Sequence, residues 1–147
     1  MQLLLLNQRI SSFFYSKKIG FLSKIIDGIN YIIFNSFFPG SVRVGKGSIC
    51  AYGGIGLVIH KRTVIGENCI IGQGITIGGR SKKYKVPEIG DDVYLGAGCR
   101  VLGPIKIGDN VVIGPNSVVL NDIPSGCIVV GIPGKIVKTN IKMRDYV

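Results

Sequence analysis

His60 is the only histidine in the 147-residue chain, and so the only side chain whose ordinary pKa lies near neutrality. A neutral imidazole at that position could serve as general base toward a hydroxyl group. The four cysteines, Cys50, Cys69, Cys99 and Cys127, contain no CxxC pair and have one histidine to help them. They make no zinc set, so no metal is expected. They read instead as small buried thiols, which fit a reduced, cytoplasmic protein. A third cluster, Arg80-Ser81-Lys82-Lys83-Tyr84-Lys85, puts four positive charges into six residues. It is either a solvated loop or a lid that contacts phosphate or acceptor. The run Tyr52-Gly53-Gly54-Ile55-Gly56 lets a ligand approach the backbone, but it is no dinucleotide fingerprint, because GxGxxG fails at Ile59.

The element that must position these groups is a repeat. Aliphatic residues stand in one register at Ile59, Ile65, Ile71, Ile77, Ile89, Leu95, Val101, Ile107, Ile113 and Val119, and only Lys83 breaks the series. Glycine follows directly at Gly66, Gly72, Gly78, Gly90, Gly96, Gly108 and Gly114. Two residues before each aliphatic is a second inward position, among them Thr63, Cys69, Ile75, Val93, Cys99, Ile105, Val111 and Ser117. A period of six fits neither a helix nor an alternating strand. It fits a solenoid of very short strands, three of which make a triangular coil of 18 residues. The register slips by three at Cys50, and the glycine-rich run after it absorbs the offset. Residues 80–88 form one excursion from the coil.

Before the repeat, apolar residues recur at helical spacing and predict two helices, roughly 8–17 and 20–35. Met1–Leu6 lacks a basic leader and a cleavage site, so it does not read as a signal peptide. No apolar run is long enough for a membrane span. The helices are expected to cap the open first coil and pack on a partner subunit. A peripheral membrane contact through residues 8–35 is the alternative. Three segments result: a helical segment 1–40, a solenoid 41–138 and a polar tail 139–147 expected to be poorly ordered. The net charge of +10 reads as dispersed along the chain. It implies an anionic partner, and without a basic stripe interleaved with aromatics that partner is not nucleic acid.

The stretches Gly45-Lys46-Gly47, Gly53 through His60, Gln73 through Gly79, Pro87-Glu88-Ile89-Gly90 and Val130 through Ile136 resemble the serine acetyltransferase branch of the hexapeptide acyltransferases. The resemblance covers roughly residues 8–138. It implies an all-β, left-handed parallel β-helix solenoid with a short N-terminal helical segment. It further implies a homotrimer, acetyl-coenzyme A as donor and active sites between adjacent subunits. Tyr52 matches the position of that branch's catalytic histidine, Phe37 that of its acidic partner and Val86 that of a second histidine. The family's coenzyme A lies along the coil, held by backbone and by basic residues. Here that implies Gly78, Gly79, Arg80, Lys82, Lys83, Gly96, Gly114 and Lys135, with Gly78, Gly96 and Gly114 expected one coil apart above His60.

The reading is an acetyl-coenzyme A-dependent O-acetyltransferase with His60 as base and Tyr52 as the second candidate catalytic residue. Its acceptor is a small molecule or saccharide. Without the usual dyad the reading leans to a sugar hydroxyl of a surface polysaccharide, with L-serine as the other acceptor. A non-catalytic trimeric scaffold that retains coenzyme A binding is the alternative function.

Overall fold

The computed structural model describes residues 2–147. Three parallel faces wind around one apolar core. The first stacks Arg43–Val44, Val64–Ile65, Glu88–Ile89 and Lys106–Ile107. The second stacks Ile49–Cys50, Ile70–Ile71, Tyr94–Leu95, Val112–Ile113 and Ile128–Val130, and the third Val58–Ile59, Thr76–Gly78, Arg100–Leu102 and Val118–Val119. Chain order visits the faces in turn, so each coil hydrogen-bonds only to its neighbours, as a solenoid must.

All ten register aliphatics are buried, and so are all eight residues of the second inward set. Burying an isoleucine or leucine contributes about 1.5–3 kcal/mol relative to exposure, so a six-residue period is enforced at every step. The strands are only two or three residues long because the backbone must turn between them. Left-handed φ values at Asn68, Asp92, Asn110 and Asn116 make several of those turns. Asparagine and aspartate tolerate that conformation. The amides of these four residues donate to Lys46, Glu67, Asp91 and Ala97 one coil away, at 2.8–2.9 Å.

Coil length varies where the sequence says it should. Cys50 pairs with Ile71, three residues more than the regular period, and a 3-10 turn at Ala51–Gly54 takes up the slip. Ile71 pairs with Leu95, because the excursion adds six residues to that coil, whereas Leu95 pairs with Ile113 at the regular spacing.

The two helices, α1 (Leu3–Ser16) and α2 (Gly20–Phe34), form an antiparallel hairpin over the first coil. α1 begins five residues earlier than its apolar spacing predicts, because Leu4 and Leu5 bury against the open coil end. The tail is ordered, contrary to expectation. After the antiparallel strand Lys135–Lys138 it runs along the second face, where Ile141 and Met143 bury against Val112, Ile70 and Tyr94. Two apolar side chains are enough to hold it, yet too few to show a period.

Candidate active site

The three corners of the coil differ in what they admit. After the second face come Gly72, Gly96 and Gly114 in one stack. A Cβ on Gly96 would meet Ile113 O at 2.6 Å and Gly114 C at 2.7 Å. The corner after the third face stacks His60, Gly78, Leu102 and Leu120 in the same slot. There a Cβ on Gly78 would meet only side chains, Leu102 Cδ2 at 3.3 Å and Thr76 Cγ2 at 3.8 Å. This corner has room for side chains, and the excursion leaves the coil here.

His60 is half-buried in that roomy corner. Its amide donates to Ile77 O at 2.8 Å, which fixes the backbone on the coil below. Nδ1 accepts the Arg62 backbone N–H at 3.2 Å, so the neutral ring carries its proton on Nε2. Burial lowers the His60 pKa below the ordinary imidazole value, and the charges of Arg62 and Lys61 lower it further. The ring is therefore neutral at pH 7. To take a proton, Nδ1 must leave the Arg62 amide or the ring must turn over.

Gly79 extends the corner, and no hydrogen bond engages its amide among the described residues. Arg80, Lys82 and Lys83 follow on the exposed loop. The loop is held down by Arg62, which sequence reasoning missed. The Arg62 guanidinium stacks 4.3 Å from the centre of the Tyr84 ring and donates to the Tyr84 carbonyl. Beside it, Arg43, Arg62, Lys85 and Tyr84 line a small cleft of about 200 Å³ with Val86 at its base. The readable signal was position: Arg62 stands where most other turns carry asparagine, aspartate or glycine, Pro104 being another departure.

The expected site does not assemble within one chain. Gly96 and Gly114 do not lie above His60, because the six-residue excursion shifts the count. Leu102 and Leu120 lie there instead. Gly96, Gly114 and Lys135 belong to the corner after the second face, on the opposite edge of the third face from His60, Gly78, Gly79, Arg80, Lys82 and Lys83. Tyr52 is on that opposite edge too, 81% exposed and with a left-handed backbone (φ 50°, ψ 33°). Phe37 extends the third face by a bridge to Val58. The four cysteines are buried singly. Burial pushes the thiols of Cys50 and Cys99 up to about 12 and that of Cys69 to about 11, so none of these three is a nucleophile at neutral pH.

Comparison with known proteins places this geometry. A family model described as bacterial transferase hexapeptide (six repeats) matches residues 87–121. The serine acetyltransferase of Synechococcus elongatus is 36% identical over 99 residues, covering 66% of this chain and 40% of that protein. The solved serine acetyltransferase of Brucella abortus in complex with coenzyme A superposes with a TM-score of 0.89 at 27% identity, over 94% of this chain and 56% of that one. Part of the coil thus matches a hexapeptide-repeat family model, and the chain is similar to serine acetyltransferases in sequence and fold. A serine-bound serine acetyltransferase from Neisseria gonorrhoeae matches with a TM-score of 0.84 at 32% identity, over 90% of this chain and 54% of that one. The hexapeptide-repeat chain thus spans about half the length of these relatives, or less. The matched span includes the helical hairpin as well as the coil.

Proposed function

We propose that this chain transfers an acetyl group from acetyl-coenzyme A to a hydroxyl acceptor. The observation that carries the reading is the match over at least 90% of the chain to serine acetyltransferase structures bound to coenzyme A and to serine. The sugar acceptor favoured by the missing dyad gains nothing from those relatives, and L-serine is the acceptor their names support.

In the proposed step, the acceptor oxygen attacks the thioester carbonyl as its proton passes to His60. The tetrahedral intermediate collapses and expels coenzyme A as its thiolate, which takes a proton to leave as the thiol. The free Gly79 amide is a suitable donor to the intermediate's oxyanion. Arg80, Lys82 and Lys83 supply charge for the donor's phosphates. His60 starts with Nδ1 bonded to the Arg62 amide, so acceptor binding must displace that bond before the ring can act as base.

The division of the expected donor residues between two edges of the third face supports a site shared between subunits. In a trimer, the edge carrying His60 in one copy would face the edge carrying Gly96, Gly114 and Lys135 in the next. The test is thiol release from acetyl-coenzyme A by the purified chain, with L-serine and with a panel of sugars. Release with L-serine supports the reading. No release above background with any hydroxyl acceptor, while coenzyme A still binds, supports the non-catalytic scaffold.

A further inference from the structure

The helical hairpin is built with its polar groups inside. In the seam between α1 and α2, Asn7 donates to Asn30 at 3.0 Å, and Ser11 Oγ contacts Ser23 Oγ at 2.8 Å and Asp27 Oδ1 at 2.6 Å. Gln8, fully buried, donates to Val42 O at 2.9 Å. At about 100° per residue, the aliphatic residues of α2 and Phe21 fall on the opposite side in one stripe about 140° wide, with Tyr31 and Phe34 off it. Phe21, Ile32 and Ile33 on that stripe are 74%, 82% and 65% exposed, and Ile25 and Ile29 are exposed as well. A helix that buries serine and asparagine while exposing isoleucine is made for apolar surroundings.

Charge identifies those surroundings. Residues 1–66 contain Arg9, Lys17, Lys18, Lys24, Arg43, Lys46, Lys61 and Arg62, against a single acid, Asp27. Asp27 is turned inward onto Ser11 and the Gly40 amide, and burial raises its pKa. The remaining seven acids all belong to residues 67–147. This end of the molecule is therefore cationic and apolar at once. A second copy docked by twofold symmetry would set the same cations against themselves. A sheet of anionic headgroups over acyl chains is complementary to both features. No helix among the described residues is long and apolar enough to cross a membrane, so the hairpin would lie in the plane of the surface.

We propose that the α1–α2 hairpin is a membrane foot that seats the protein on an anionic phospholipid surface. Phe21, Ile25, Ile32 and Ile33 enter the boundary between headgroups and acyl chains, and Lys17, Lys18 and Lys24 lie among the phosphates.

The experiment is sedimentation of the full chain with vesicles of phosphatidylglycerol mixed with phosphatidylcholine, and with phosphatidylcholine alone. The wild type should bind the mixed vesicles at least about tenfold more tightly than the neutral ones, and raised salt should weaken that binding. The triple variant Ile25→Gln, Ile32→Gln, Ile33→Gln should lose about tenfold or more on the mixed vesicles. Its thermal melt should change little, because Ile32 and Ile33 are mostly exposed and Ile25 is only about half covered, and leucine at the same positions should restore binding. Equal binding to both vesicle types, or binding to neither, overturns the proposal. So does a lipid-free assembly that dissociates in the triple variant, which would show that another protein surface covers the stripe.

Discussion

The two edges of the third face follow the same repeat and yet differ in what they tolerate. Along the edge formed by Gly72, Gly96 and Gly114, the space a Cβ would need is already filled, by carbonyl and amide atoms of the next coil at Gly72 and Gly96 and by the Val130 side chain at Gly114. Along the edge formed by His60, Gly78, Leu102 and Leu120, side chains fit in the same slot and a loop departs from it. Close stacking leaves no room for variation, and so none for a reactive side chain. Of these two edges, only the one where stacking is loose has room for a reactive side chain in the coil slot.

The sharpest way to break this contrast is His60→Asn. Asparagine can still accept the Arg62 amide two residues on, as asparagine commonly does in turns, but it cannot take a proton. The rate of acetyl transfer should fall by roughly 10²–10⁴-fold, the usual worth of a general base, with coenzyme A affinity little changed. Activity within a few-fold of wild type would remove the base from this corner.

A paired substitution at the two edges tests stacking itself. Gly96→Ala forces a Cβ into the backbone of Gly114 and Pro115, and should cost about 1–3 kcal/mol or more, as overpacking does. At about 2–4 °C per kcal/mol for a domain of this size, that is visible in a thermal melt. Gly78→Ala meets a movable leucine side chain and, at ordinary contact distance, Thr76 Cγ2, and should stay within about 0.5 kcal/mol of wild type. Equal losses at the two sites would mean the edges do not differ.

A pH profile refines the assignment to His60. Because burial and the neighbouring cations lower its pKa, kcat/KM should be full above that pKa and fall as pH drops through it. The inflection should lie below the ordinary imidazole value of about 6.5. An inflection above that value would point to a different base.

The smallest effect is expected at Tyr52→Phe. Tyr52 is exposed on the tight edge, across the third face from His60. The rate should stay within a few-fold. A loss as deep as that of His60→Asn would move the chemistry to the other edge.

The coil was legible because sterics enforce it at every step: misplacing Ile77 or Leu95 by one residue would put an isoleucine or leucine in water. The vertical stacking was less legible. Counting by 18 puts Gly96 above Gly78, and only the observed pairing of Gly78 with Leu102 shows that the excursion pushes Gly96 to another corner. The helices were legible by period but not by direction. An apolar stripe ordinarily marks the buried face, whereas here Ser23 and Asn30 are the buried residues of α2. The charge looked dispersed because a net count by segment does not separate cations from acids: seven of the eight acids lie in residues 67–147, and the other, Asp27, points inward. Arg62 escaped notice because its role depends on Tyr84, 22 residues away.

The strand Lys135–Lys138 runs against the direction of every other strand in the coil, pairing with Ile128–Val130 at the last exposed edge. A parallel solenoid has two open ends, each a template on which another molecule could continue the winding. The reversed strand closes one end with the wrong polarity for continuation, and Leu4 and Leu5 of the hairpin plug the other. The repeat is thereby given a finite length: copies of this chain can meet side by side, but they cannot string together end to end into a fibre.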